Sequence, residues 1–291
     1  MKISHFLYNA FLIEDNDTKI AIDPGKNLWI GKLNSLIPET EWDDVTHVLS
    51  THGDPDHFDF AVALTKKANA IAVCGDALAE DFEKENIKQV HKLSVGQTIQ
   101  SGDVTFEGLV AEHGPLPVKL FFGLIHMLNE VAQGDHGGKK IFLGPLKILE
   151  TREAMRVYSR GTIKLIFGLI TLVKENIDFA RGSMGFKITI GNKTIVNLGD
   201  TIFKQEWGQL KPDVLMIPIG GKEIKNTMDE AEALKVIDLM KPKTVIPCHY
   251  SCDFLWRRNI NPADDEMFKR RVEEKGIQCH IMKYGDTIDI E

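Results

Sequence analysis

Ser50-Thr51-His52-Gly53-Asp54-Pro55-Asp56-His57-Phe58-Asp59 sets two imidazoles and three carboxylates within eight residues, directly behind the apolar run Val45 to Ser50, which reads as a buried strand. Carboxylates that close repel one another at neutral pH, and a bound divalent cation is the simplest partner that reverses the repulsion and acidifies nearby water. Gly53 and Pro55 suit a tight, irregular loop. An acidic turn capping the next helix through Asp56 or Asp59 accounts for one carboxylate and leaves the flanking histidines without a purpose.

Upstream, Lys2 to Asp23 reads as two strands and a turn, with Asp15 to Asp17 reversing the chain and Ala21-Ile22-Asp23-Pro24-Gly25 ending a strand on an acid and a breaker pair. Downstream, Phe60 to Ala68 reads as a helix, Ala70 to Cys74 as a strand and Asp76 to Glu85 as a helix capped by Asp76, a β-α-β-α alternation. Short strands follow, and Val104 to Ala111 delivers Glu112-His113-Gly114. Beyond residue 181, Gly185 to Ile190 and Lys193 to Leu198 form a hairpin that ends in Gly199-Asp200. Asp213 to Ile217 is a buried strand, and Asp229 to Met240 is a helix stopped by Lys241-Pro242. Thr244 to Pro247 leads into Cys248-His249-Tyr250, and Pro262 to Glu274 is the last helix.

The 291 residues, 43% hydrophobic and 26% charged, are enough for a sizeable core and exclude a disordered or collagen-like chain. A net charge of −7 argues against a general nucleic-acid binder, which needs a basic footprint. Four cysteines without a secretory pattern at Met1 point to a reduced, cytoplasmic setting. Cys248 and Cys252 bracket His249, but closing a structural zinc site takes four ligands, and small buried thiols are the simpler reading. No apolar stretch reaches the roughly 20 residues that span a bilayer.

Residues 116–181 differ from their flanks. They carry ten Lys and Arg against six Asp and Glu, so the segment is +4 and the remainder −11. It reads as a mostly helical insert with apolar runs at Leu120 to Ile125 and Leu165 to Ile170, serving as a lid or a dimer interface, with room for peripheral membrane contact. Arg152, Arg156 and Arg160 recur every four residues and share one helix face, either a solvated face or an anion-binding ridge.

The ligand-type residues that follow strands are His52, Asp54, Asp56, His57, His113, Asp200 and His249, delivered from several strand ends as catalytic metal sites are. In this order, with Asp23 before them, they resemble the pattern of the metallo-β-lactamase superfamily. The runs Ile217 to Gly221, Thr227 to Ala231 and Ile246 to Tyr250 are similar to its branch of ascorbate-6-phosphate lactonases and N-acyl phosphatidylethanolamine phospholipase D-type enzymes. The resemblance implies a single α/β domain over residues 1–291, a four-layer α/β/β/α sandwich interrupted by the insert. It also implies two metals: one on His52, Asp54 and His113, the other on Asp56, His57 and His249, with Asp200 bridging and Asp23 orienting ligands from behind. Asp54 stands where most members have a histidine. Zinc is the expected ion, and the extra carboxylate shifts preference toward manganese or iron.

The resemblance implies a metal-dependent hydrolase acting on an ester-type bond, and the apolar runs of the insert with the Arg152, Arg156 and Arg160 ridge turn the expectation toward a small, anionic substrate, a phosphodiester or another phosphate ester first and a lactone second. Asp56 is the candidate to hold the proton of the attacking water, and His113 or Tyr250 to stabilise charge on the substrate. Two other classes compete: a di-iron redox protein, because flavodiiron relatives carry a carboxylate at the position of Asp54, and a non-catalytic binding module. A homo-oligomer fits the dimer-interface reading of the insert.

Overall fold

The computed structural model describes residues 1–28, 34–115, 180–253 and 259–291. These belong to a unit of Met1–Pro115 with Phe179–Glu291; the second unit, Leu116–Asp178, which holds most of the insert with Arg152, Arg156 and Arg160, lies outside the described residues.

Fourteen strands form two seven-stranded sheets among the described residues. The first is assembled from β1 (Lys2–Leu7), β2 (Ala10–Asp15), β3 (Thr18–Ile22), β4 (His47–Ser50), β5 (Ile71–Gly75), β6 (Val90–Leu93) and β14 (Thr287–Asp289), in the order β14-β1-β2-β3-β4-β5-β6. The second is assembled from β7 (Thr98–Ser101), β8 (Val104–Val110), β9 (Met184–Ile190), β10 (Lys193–Asn197), β11 (Val214–Pro218), β12 (Thr244–Cys248) and β13 (Gln278–Cys279), in the order β13-β12-β11-β10-β9-β8-β7. Each sheet is antiparallel at one end and parallel at the other: β3 to β6 run parallel, as do β10 to β13.

The alternation of side chains along each strand builds the layers. On β2, Phe11 and Ile13 enter the core between the sheets, whereas Ala10 and Leu12 face outward. There they meet Leu64 of α2 (Ala61–Ala68) and Leu78 and Phe82 of α3 (Asp76–Lys84) within one apolar cluster. On β11, Val214 and Met216 join the central core while Leu215 and Ile217 meet Val236, Ile237 and Met240 of α4 (Glu230–Met240). Phe268 and Val272 of α5 (Asp265–Glu273) complete that outer layer. Parallel strands covered on both faces need continuous apolar sequence, which is why Val214 to Ile217 and Val245 to Cys248 carry so few polar residues. The result is the α/β/β/α sandwich expected from the sequence.

α4 begins with a capping box: Glu232 N donates to Asp229 Oδ1 at 3.0 Å and Asp229 N donates to Glu232 Oε2 at 3.3 Å. Lys241 closes it in the left-handed region at φ 50°, and Pro242 stops it. Two local readings change. Lys2 to Asp23 holds three strands rather than two, because Tyr8, at φ 51°, reverses the chain with no glycine or proline to announce it. Asp76 is the first residue of α3, and no side-chain cap bond is made there.

Candidate metal centre

The residues at issue stand at the ends of five strands, β3 and β4 in the first sheet and β8, β10 and β12 in the second, so both sheets feed one site. After β4 the chain makes the single turn α1 (Pro55–Phe58). Asp54 precedes it without capping it through its side chain, so its carboxylate is left for other use. Gly25 lets the loop after β3 lie against this turn, since a Cβ there would collide with the Asp56 carbonyl and His57 N. Lys26 N donates to the Pro55 carbonyl at 2.8 Å, locking the two loops together. Asp59 leaves the site to pair with Lys26 at 3.4 Å.

Seven side chains converge. His52 Nε2 and His113 Nε2 each lie 3.6 Å from Asp54 Oδ2. His57 Nε2 is 3.5 Å and His249 Nε2 3.6 Å from Asp56 Oδ2. Asp200 Oδ2 faces both groups, at 2.9 Å from His249, 3.7 Å from His57 and 3.9 Å from His113. Donors that share a metal at bonds of about 2.1 Å stand roughly 3.4 Å apart in tetrahedral geometry, so these spacings suit joint ligation.

The hydrogen bonding makes the same point. The Nε2 atoms of His52, His57, His113 and His249, with one oxygen each of Asp54 and Asp200, are buried without a hydrogen-bond partner. Even the His249 to Asp200 approach is not aligned as a hydrogen bond. Buried polar atoms are rarely left so, and six at one point call for a ligand that accepts lone pairs. Behind the rings, Asp23 Oδ2 faces His57 Nδ1 at 2.7 Å. Thr51 Oγ1 lies 3.0 Å from His52 Nδ1 and donates to Asp23 Oδ2 at 2.6 Å, while the Gly114 carbonyl is 2.7 Å from His113 Nδ1. A proton held at Nδ1 leaves the Nε2 lone pair free, the arrangement a metal-ligating histidine requires. His249 differs: its Nδ1 faces Asn261 Nδ2 at 3.4 Å.

Asp23 also lies within ligand distance of His52 and His57, yet both its oxygens are engaged, Oδ1 by Thr51 N and Oδ2 by Thr51, Asn9 and His57. It therefore stands behind the donors. Asp23 at φ 45° and His249 at φ 51° hold left-handed conformations that cost a non-glycine residue about 1 kcal/mol or more, a burden typical of functional sites.

The charges are uneven. Burial pushes His57 down, but Asp200, Asp56 and Asp23 outweigh it and hold the ring well above the usual histidine range. Burial likewise opposes protonation of His249, and Asp200 and Asp56 overcome it, raising the ring to about 9. Asp56, although burial would raise it, is pulled well down by His57 and His249, and Asp200 is pulled down by His249, His57 and His52. Burial lowers His113 despite the nearby Asp200. The half of the site around Asp56, His57, Asp200 and His249 thus demands positive charge, and a divalent cation that meets the demand displaces protons from the rings.

Tyr250 is not brought to the donors. Its ring packs on the apolar cluster behind the second sheet, and burial together with the nearby Asp265 carboxylate pushes its hydroxyl well above the usual tyrosine range. The four cysteines are free and buried, and Cys248 Sγ donates to Asn9 Oδ1 at 3.4 Å. The sequence reading passed over Thr51, Asn9, Asn197 and Asn261. Asn9 and Asn197 exchange amide hydrogen bonds at 3.0 Å across the two sheets, and Asn9 Nδ2 also donates to Asp23 Oδ2 at 2.7 Å. Burial marks them, and no local sequence pattern does.

Residues 2–115 and 133–249 match the family model described as a β-lactamase superfamily domain. The chain is 30% identical over 294 residues to a UPF0173 metal-dependent hydrolase of Nanoarchaeum equitans, covering 100% of each. It is 24% identical to a UPF0173 metal-dependent hydrolase of Carboxydothermus hydrogenoformans, covering 99% of each. Among solved structures it is similar to Igni18, a metallo hydrolase from Ignicoccus hospitalis, with a TM-score of 0.65 and 20% identity over 100% of this chain and 98% of that one. That structural likeness shows the fold.

Proposed function

This chain belongs to the UPF0173 metal-dependent hydrolases of the β-lactamase superfamily, and from that membership we propose that it hydrolyses a phosphodiester, or another phosphate-bearing ester, of a small molecule. The observation that carries the reading is the convergence of four unpartnered imidazole Nε2 atoms and three carboxylates from both sheets. In this reading His52, Asp54 and His113 would hold one divalent ion and Asp56, His57 and His249 another, with Asp200 available to both. Bound there, such ions would supply a water whose pKa falls from about 16 to near 7 and would polarise the oxygen of the bond to be cleaved.

The chain's own groups do the rest. Asp56, held ionised between His57 and His249, would hold the remaining proton of the attacking water in a hydrogen bond. Asp23 keeps His57 and, through Thr51, His52 in the tautomer that presents Nε2. His113 presents Nε2 to the centre while its Nδ1 stays on the Gly114 carbonyl. Zinc is the first expectation, and Asp54, a harder donor than imidazole, brings manganese and iron into range.

The preference for phosphate rests on the +4 charge of residues 116–181 within an otherwise acidic chain and on the resemblance to the ascorbate-6-phosphate lactonase and N-acyl phosphatidylethanolamine phospholipase D-type branch. That branch also supports a lactone as the second substrate class. Membership among hydrolases sets aside the redox and non-catalytic readings. The insert as lid, dimer interface or peripheral membrane contact and a cytoplasmic setting belong to the same proposal; the free, buried cysteines support the last. Among the described residues, no helix is long and apolar enough to cross a membrane.

The test is a metal-stripped preparation reloaded with zinc, manganese or iron and assayed on a bis-aryl phosphodiester, an aryl lactone and a chromogenic β-lactam. Metal-dependent turnover led by the phosphodiester supports the proposal. Turnover of the lactone alone replaces the phosphodiester, and no turnover with any metal removes both.

A further inference from the structure

Three of the four clustered histidines meet an oxygen at Nδ1, and the fourth meets a nitrogen. Asn261 is buried, with its Nδ2 3.4 Å from His249 Nδ1 and its Oδ1 buried without any hydrogen-bond partner. If His249 gives its Nε2 lone pair to a metal, Nδ1 carries the ring proton, and that N–H then points at an amide N–H. One donor faces another, while an acceptor on the same side chain is unused.

A half-turn of the amide about its Cβ–Cγ bond removes both faults. The two ends of an asparagine amide are nearly alike in shape, so the hydrogen-bond network decides which end faces the ring. We infer that Asn261 is the positioning residue for His249: in the metal-loaded protein its Oδ1 accepts from His249 Nδ1–H and holds the ring in the tautomer that presents Nε2. The inference rests on the metal-centre reading above and goes beyond it by assigning the missing orienting partner.

The seat of Asn261 is built. Ser251 N donates to its carbonyl at 2.7 Å, tying it to the turn that follows His249. Gly220, after β11, lies against it so closely that an added Cβ would fall 2.6 Å from Asn261 Cβ. Such a Cβ would also strike the His249 carbonyl. The asparagine and the histidine therefore share one tightly packed stretch of backbone, within which a half-turn of the terminal amide exchanges its two ends without moving the chain.

The test titrates zinc into metal-free, full-length protein against a chromophoric chelator, for the wild type, Asn261→Leu and Asn261→Asp, with thermal melts of the metal-free forms alongside. Asn261→Leu is expected to weaken one of the zinc-binding steps roughly 10- to 100-fold, as loss of an orienting partner does elsewhere, without a matching loss in the melt. Asn261→Asp keeps an acceptor for Nδ1–H and is expected to bind zinc as the wild type does, or more tightly. Unchanged binding by Asn261→Leu, or binding by Asn261→Asp as weak as that of Asn261→Leu, overturns the inference. Should Asn261→Leu not fold, nitrogen-15 histidine spectra of the zinc-loaded wild type decide: a slowly exchanging proton on His249 Nδ1 is expected, and a bare or freely exchanging Nδ1 overturns it. Failure of the wild type to take up zinc, manganese or iron defeats the metal-centre reading itself. Metal uptake by the wild type with no effect of the substitutions defeats this inference alone.

Discussion

Asp23 and His57 are both fully buried and meet through Oδ2 and Nδ1 at 2.7 Å, and the same carboxylate takes hydrogen bonds from Thr51 N, Thr51 Oγ1 and Asn9 Nδ2. One aspartate therefore fixes one proposed ligand directly, a second through the Thr51 hydroxyl, and the loop between them. Replacing it with alanine leaves several buried donors unanswered, at about 1 kcal/mol or more for each. Asp23→Ala is expected to lose on the order of 3 kcal/mol of stability. Zinc affinity should fall at both proposed metal positions. Urea unfolding and chelator competition read the two effects separately, and a variant that kept wild-type zinc affinity would remove the orienting role.

In the proposed ligand set Asp54 is the carboxylate that joins His52 and His113. A carboxylate adds negative charge and hard-ion preference to the His52 and His113 group; an imidazole restores the softer set that suits zinc. Asp54→His is expected to raise the zinc to manganese ratio of protein loaded from an equimolar mixture. Elemental analysis after desalting reads the ratio, and an unchanged value would mean that Asp54 does not contact the metal.

The Asn9 to Asn197 pair joins the turn between β1 and β2 to the end of β10, so it ties the Asp23 side of the site to the Asp200 side. Gly199 N donates to Asn197 Oδ1 at 3.0 Å, which places the pair directly under the Gly199-Asp200 turn. Asn9→Leu and Asn197→Leu each strand the other amide and should each cost about 1 to 3 kcal/mol. The double variant should cost less than their sum, by about 0.5 kcal/mol or more. Denaturant titrations of the four proteins measure the coupling, and strict additivity would show that the amides act independently.

The ligand-type residues were legible because each stands where a run of β-branched and aliphatic residues stops, and because their order matches a known pattern. The layers were legible for a related reason: Val214 to Ile217 and Val245 to Cys248 are apolar throughout, as strands covered on both faces must be. The residues behind the site were not. Asn9, Asn197 and Asn261 read locally as turn or strand-end residues, and their roles come from partners 188, 188 and 12 positions away in the chain. The strand break at Tyr8 has no sequence signature, because a left-handed backbone there is not signalled by a tyrosine side chain. Hydrogen-bond partners set by tertiary folding leave no period in the sequence to find.

The far end of the first sheet offers a pH prediction that does not involve the metal centre. His47, at the start of β4, has Nε2 3.0 Å from Ser101 Oγ on β7 of the opposite sheet, Nδ1 2.9 Å from Thr46 Oγ1, and its ring 5.2 Å from Phe106. His91 Nε2 shares the same serine at 3.3 Å. Burial, with a smaller contribution from His91, pushes His47 down to about 4. The unfolded chain binds a proton at this residue below about 6.5, whereas the folded chain refuses it until about 4. Between those values the unfolded state holds the extra proton, so stability rises with pH across the window and is lost as pH falls through it. Discounted for partial solvent screening, the loss is about 2 kcal/mol. His47→Gln keeps an amide able to reach Ser101 and cannot titrate. Its stability relative to the wild type should therefore improve on moving from about pH 7 to about pH 4.5, in metal-free protein, by roughly that amount. Urea midpoints at the two pH values measure the difference, and parallel pH profiles for wild type and variant would show that His47 takes up its proton equally in both states.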